Sequence, residues 1–187
     1  LETHTPKLLA DDLPKFTVEV KVYDSVKRTL LQVLRLRDDN TLMDLADAIL
    51  CNVCKLEGLK YQRFFFLEKE IYREINQKLS LIDMSGDIIE KFNADSGGEA
   101  KIFQGGFGTR ICDLIKLKIG KVYIFRDQPK CDHMLVFTNL EIGSSIDALD
   151  KKDFPFDVYE AKIKRRHCGA CGDGFARYVT RKDKLTK

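Results

Sequence analysis

Two cysteine pairs have the spacing best able to do chemistry in this chain: Cys51-Asn-Val-Cys54 and Cys168-Gly-Ala-Cys171. Four thiolates in two C-x-x-C pairs complete a tetrahedral zinc site, so zinc is the expected cofactor and Cys51, Cys54, Cys168 and Cys171 are its expected ligands. The second pair stands in HCGACGDG, where the glycines let the backbone wrap a metal with both sulfurs pointing inward. The pairs are more than a hundred residues apart, so the site would staple the C-terminal tail onto the part of the chain that holds Cys51. Two other readings fit the same residues. The cysteines can be small buried hydrophobes without metal. Alternatively, Cys168 is a redox or nucleophilic thiol working with Cys171, its thiolate favoured by Arg165, Arg166 and His167. The run GACGDG is too rich in glycine to continue as a helix, which argues against a thioredoxin-like setting.

The second chemical feature is charge. From Lys162 to Lys187 there are nine Lys and Arg against two Asp, a net of +7, which leaves −4 for the remainder of a chain of net charge +3. A solvated tail is the plain reading. The sharper one is a polyanion site, with Lys164, Arg165, Arg166, Arg177, Arg181 and Lys182 meeting nucleic-acid phosphates. Nucleic acid or a protein partner is therefore expected.

Three further constellations have weaker spacing. Cys131-Asp132-His133 invites a Cys-His hydrolase reading, but on a strand Cys131 and His133 share a side while Asp132 faces away. Gly105-Gly106-Phe107-Gly108-Thr109 could cradle a phosphate on free N–H groups, although it lacks the lysine of a P-loop. Tyr61, Arg63, Phe64, Phe65 and Phe66 could stack bases, or else pack a core, since consecutive Phe residues on a strand supply both faces.

These residues need elements to hold them. The stretch Asn40 to Lys55, NTLMDLADAILCNVCK, predicts one amphipathic helix ending near Gly58. Thr41 caps its start with Asp44 in the manner of a capping box, and Leu42, Leu45, Ala46, Ile49, Leu50 and Val53 share a face. Cys54 then lies on the flank of that stripe and Cys51 on the far side. Before the helix, Phe16, Val18, Val20 and Val22 alternate with polar residues, as do Leu30, Gln32, Leu34 and Leu36 with their neighbours, predicting a strand hairpin turning at Asp24 and Ser25. After it, LKYQRFFFLEK predicts a third strand and Glu70 to Leu79 a short helix. A further helical turn is expected at Asp87 to Phe92, a surface connection at Asn93 to Gly108, and a short helix at RICDLIK with Ile111, Leu114 and Ile115 inward. KVYIFRD and HMLVFTNLEI predict a strand pair, Gly143 to Asp157 a loop, and VYEAKIKR a last strand.

A length of 187 residues, 44% apolar and 33% charged, with twelve Phe, suits one soluble globular core. The expected organisation is a leader at 1–15, a single α+β domain at 16–161 and a basic Cys-containing tail at 162–187 packed on it. The fold class is α+β, a mixed and mainly antiparallel sheet packed on one main helix, with a strand-strand-helix-strand, β-grasp-like opening. With no run of about eighteen apolar residues and no basic-then-apolar start, the chain is expected to be cytoplasmic, with no membrane partner. There the six cysteines are thiols or ligands rather than disulfides.

The order of these motifs resembles the plasmid pRiA4b ORF-3-like family. The resemblance rests on Lys27 and Arg28 as a basic cluster, Thr41, Leu42, Leu45, Ala46 and Ile49 in the helix, Tyr61 and Phe64 in the aromatic strand, and Gly120, Lys121, Tyr123 and Phe125 opening the late strand pair. Of the acidic run that follows in the family, this chain keeps His133. The resemblance spans Phe16 to Ile142, except Glu68 to Gln104, and implies a plasmid- or mobile-element-associated protein to which no general activity is attached. The combined expectation is a non-enzymatic binding or interaction protein, nucleic-acid associated and holding a structural zinc. The alternatives are a thiol-dependent enzyme or redox protein using Cys168 and Cys171, and a structural interaction domain without metal.

Overall fold

The computed structural model describes residues 15–50, 61–75, 81–103, 106–129, 131–142 and 151–162. Alternation along β1 (Thr17–Asp24) and β2 (Leu30–Arg37) turns Val18, Val20, Val22, Leu34 and Leu36 into one buried face. The strands pair antiparallel with Val20 opposite Leu34. Their connection is held by Asp24, whose Oδ1 accepts from the N–H groups of Val26 and Lys27 at 2.8 and 2.7 Å.

Helix α1 (Leu42–Ala48) starts as its local sequence dictates. Thr41 Oγ1 accepts from the Asp44 N–H at 3.2 Å, and Asp44 Oδ2 accepts from the Thr41 N–H at 2.7 Å, a reciprocal cap. Its end departs from the periodicity. The apolar pattern continues to Val53, but the helix stops at Ala48 and Ile49 is extended, with ψ 116°. The physical cause lies on β2. Gln32, which is 1% exposed, donates from Nε2 to the Ala48 carbonyl at 3.0 Å and accepts the Leu50 N–H on Oε1 at 3.2 Å, taking the groups that another helical turn would use.

The expected third strand divides into β3 (Tyr61–Gln62) and β4 (Phe64–Leu67). The helix expected over Glu70 to Leu79 begins instead as a strand, β5 (Glu70–Arg73), because the edge of β4 is open to it: Phe65 lies opposite Tyr72 and Phe66 opposite Ile71. Then follow β6 (Ile82–Asp83), α2 (Gly86–Ser96), β7 (Lys101–Phe103), β8 (Val122–Gln128), β9 (Cys131–Glu141) and β10 (Phe156–Glu160). The main sheet has eight strands in the order β10-β2-β1-β9-β8-β4-β5-β7, antiparallel except for the β5–β7 pair; β3 and β6 form a small parallel pair beside it. This is the α+β class read from the sequence.

One sheet face carries the core. Val20, Leu34, Phe65, Phe125, Leu135 and Phe137 pack there with Leu42 and Leu45 of α1 and with Phe107 and Ile111. The opposite face is partly covered by α2, whose Phe92 meets Phe66 edge-on at 5.3 Å between ring centroids. Its anchor is Arg126, which grips Asp132 through two hydrogen bonds of 2.6 and 3.0 Å and also donates to Asp87 of α2 at 2.6 Å.

Candidate functional site

The expected zinc ligands Cys51, Cys54, Cys168 and Cys171 lie outside the described residues, as do the expected phosphate-binding Lys164, Arg165, Arg166, Arg177, Arg181 and Lys182. The helix expected to run from Asn40 to Lys55 ends at Ala48, before the described residues stop at Leu50. Among the described residues there is no group of three or more His, Cys, Asp or Glu side chains able to hold a metal ion.

The weaker constellations resolve into packing. Cys131 and His133 point to the same, buried side, with Sγ and Nε2 3.7 Å apart, while Asp132 turns the other way to Arg126. His133 stacks on Phe125 and its Nδ1 is buried without a hydrogen-bond partner, so the pair has no access to substrate. The glycine-rich run forms a 3₁₀ turn, Gly106–Gly108, that drives Phe107 against Phe65, ring centroids 5.1 Å apart. Phe64 and Phe65 are buried, so they offer no base-stacking platform. Arg63 clamps α1 to the sheet by two bonds to Glu74, at 2.9 and 3.0 Å, and one to Asp47 at 2.8 Å.

What the residue patterns missed is a groove built by the β4–β5 turn, β7 and the segment 111–118. It encloses about 160 Å³ and is lined by Leu67, Glu68, Glu70, Tyr72, Phe103 and Leu117, among others. The turn forces Glu68 to φ 53° and Lys69 to φ 157°, both in the region that favours glycine. Strain of this kind persists where surrounding contacts over-determine it, and Glu68 is so held. Its Oε1 accepts from the Tyr123 hydroxyl at 2.6 Å and its Oε2 from Lys121 Nζ at 2.9 Å. Glu70 repeats the arrangement, accepting from the Tyr72 hydroxyl at 2.8 Å and from Lys116 Nζ at 2.6 Å. A Tyr–Glu–Lys chain thus holds each of the two glutamates that line the groove.

These contacts also set the charge states of the groups they join. The hydroxyl of Tyr123 holds the Glu68 carboxyl below its ordinary value, and the Lys116 ammonium does the same to Glu70. Burial, reinforced by Glu68, pushes Tyr123 up to about 12, and burial likewise raises Tyr72. A general acid or base needs a pKa brought toward neutrality; here each group is driven away from it. The short helix expected at RICDLIK is a 3₁₀ turn, Ile111–Asp113, with Ile111 and Leu114 inward as expected. Ile115 is not inward: it is 87% exposed beside the groove, because the turn ends at Asp113 and the helical period does not carry that far.

Among the described residues no helix is long and apolar enough to cross a membrane. Comparison with known proteins adds a family. The profile of snRNA-activating protein complex (SNAPc), subunit 3, matches residues 32–187. Proteins named snRNA-activating protein complex subunit 3 from Bos taurus, Rattus norvegicus and Mus musculus are each 26% identical over 120 residues, covering 64% of this chain and 29% of theirs. The chain therefore spans under a third of the length of these relatives. This match overturns the resemblance to the plasmid pRiA4b ORF-3-like family and the plasmid-associated role it implied. The residues behind that resemblance, a Thr-Leu helix start and alternating strand pairs, specify a local shape that a strand pair feeding a helix produces in any lineage. The redox or thiol-enzyme reading of Cys168 and Cys171 and the purely structural interaction domain are not favoured by this match either.

Proposed function

Since the chain belongs to the family of snRNA-activating protein complex subunit 3, we propose that it is a binding module of a multi-protein assembly that engages nucleic acid. The observation that carries this is the extent of the family match, which takes in the sheet from β2 onward together with the basic residues 162–187. The relatives are named as subunits of a complex, which supports protein partners. The net charge of +7 after Ala161 supports a phosphate-binding role for Lys164, Arg165, Arg166, Arg177, Arg181 and Lys182. The chain then works where that nucleic acid is, in place of the cytoplasmic location expected from composition. Zinc on Cys51, Cys54, Cys168 and Cys171 is part of the proposal, as the device that would order the basic tail for contact.

Titrating the chain with duplex DNA at several salt concentrations tests the reading. The logarithm of affinity should fall linearly with that of salt, and replacing Lys164, Arg165 and Arg166 by Ala should flatten the slope by about 0.9 per lost phosphate contact. Binding that ignores both salt and the triple substitution overturns it.

A further inference from the structure

We propose that the groove beside the β4–β5 turn, with the open edge of β7, docks an extended acidic segment of a protein partner, with apolar residues alternating between its acids. The proposal rests on the reading of the chain as a subunit of an assembly and names the chemistry of one partner surface.

The surface is apolar where a folded chain gains nothing from being so. Ile115 is 87% exposed and Phe103 40% exposed over the buried floor of Leu67 and Leu114, and Ile102, 48% exposed, stands on the other side of β7. Contiguous exposure of this kind marks an interaction site. The rim selects the partner's charge. Lys69, Lys101, Lys116 and Lys118 line the groove, joined by Lys121 through Glu68. Glu68 and Glu70 are consumed by Lys121 and Lys116, and Asp113 by Arg110, which leaves Lys69, Lys101 and Lys118 outside the ion pairs of the described residues with Glu99 to oppose them. The excess is positive and calls for an acidic occupant.

The form of the occupant follows from β7. Within the described sheet it is the terminal strand, paired through β5 alone, with Lys101, Ile102 and Phe103 all exposed. An extended segment can add to such an edge; its alternate side chains then point in turn to the face of Lys101 and Phe103, where the lysines of the groove take the acids, and to the opposite face, where exposed Ile102 takes the apolar residues. Single-stranded nucleic acid, which stacks successive bases, fits less well, because, of the groove's rings, Phe103 is open but packs on Tyr72. It requires open ring faces, whereas Tyr72 and Tyr123 are 5% and 2% exposed. A second copy would bring lysines against lysines.

Fluorescence anisotropy with the whole chain tests this, using a labelled synthetic peptide of about eight residues that alternates Glu or Asp with Leu or Phe. The acidic peptide should bind more tightly as salt falls, and a version with Lys in place of the acids should not bind. Lys101→Glu with Lys118→Glu should weaken binding about tenfold or more, and Ile115→Asp should do likewise. Both changes are at exposed positions, so melting curves should match the parent chain. The proposal is overturned if the acidic peptide fails to bind, if it binds the variants equally, if oligothymidylate competes for the site, or if dilution reveals a dimer that Ile115→Asp dissolves. None of these outcomes touches the salt slope set by Lys164, Arg165 and Arg166, so the docking site can fail while the nucleic-acid reading stands.

Discussion

The side-chain amide of Gln32, in the middle of β2, donates to the carbonyl of Ala48, the last residue of α1, at 3.0 Å. The same side chain donates to Asp157 Oδ1 of β10 at 2.6 Å, so one buried amide ends a helix and holds an edge strand. Gln32→Leu should destabilise the chain by about 2–3 kcal/mol, because it leaves buried backbone groups at the helix end without partners. Urea unfolding of the two proteins measures this. A loss under about 0.5 kcal/mol would mean that the cap does not matter.

Gly106 lies against Arg73. A Cβ at this position would sit 2.4 Å from the Arg73 carbonyl oxygen, and the backbone φ is +51°. Gly106→Ala should therefore cost more than the roughly 1 kcal/mol of an ordinary glycine substitution, whereas Gly108→Ala, which meets nothing within 4 Å, should be tolerated. Thermal melts of both variants discriminate packing from phosphate cradling, since a cradle would leave stability unchanged and shift only with added phosphate.

Acid should loosen the groove wall. The carboxyls of Glu68 and Glu70 have folded pKa values below the ordinary 4.5, so their contribution is present above that value and is lost as pH falls through the lower, folded one. Unfolding free energy should decline as pH is lowered from about 5, and Glu68→Gln with Glu70→Gln should flatten that decline. Tyr123 acts at the other end: its contribution holds below its ordinary 10 and is lost as pH rises through about 12. Denaturation followed across pH reads both limbs, and an acid limb identical in the double variant removes the argument.

Zinc is a question of stoichiometry. Chain purified without chelators should hold about one zinc, released by a thiol-blocking reagent and absent from the Cys168→Ser, Cys171→Ser variant. Elemental analysis showing no metal would end the zinc proposal while leaving the salt-dependent nucleic-acid test in place.

Local pattern determined a good deal of this protein. The start of α1 was legible because Thr41 and Asp44 cap within one turn, and β1, β2, β8 and β9 because alternation needs only neighbours. Asp132 facing away from Cys131 and His133 was readable on the same ground. The basic tail and the two cysteine pairs are facts of composition and spacing, while the functional proposal is carried by the family match, which takes in the sheet from β2 onward and the tail alike. Tertiary structure decided the rest. It ended α1 at Ala48 through a glutamine sixteen residues earlier in the chain, and made a strand of β5 because β4 offered an edge. It also joined Glu68 to Tyr123 across fifty-five residues, and it left Ile115 in solvent. The physical reason is the range of the interactions. Capping and periodicity act over one turn or one pleat, whereas the groove is made of hydrogen bonds and ion pairs between residues that only the folded sheet brings together.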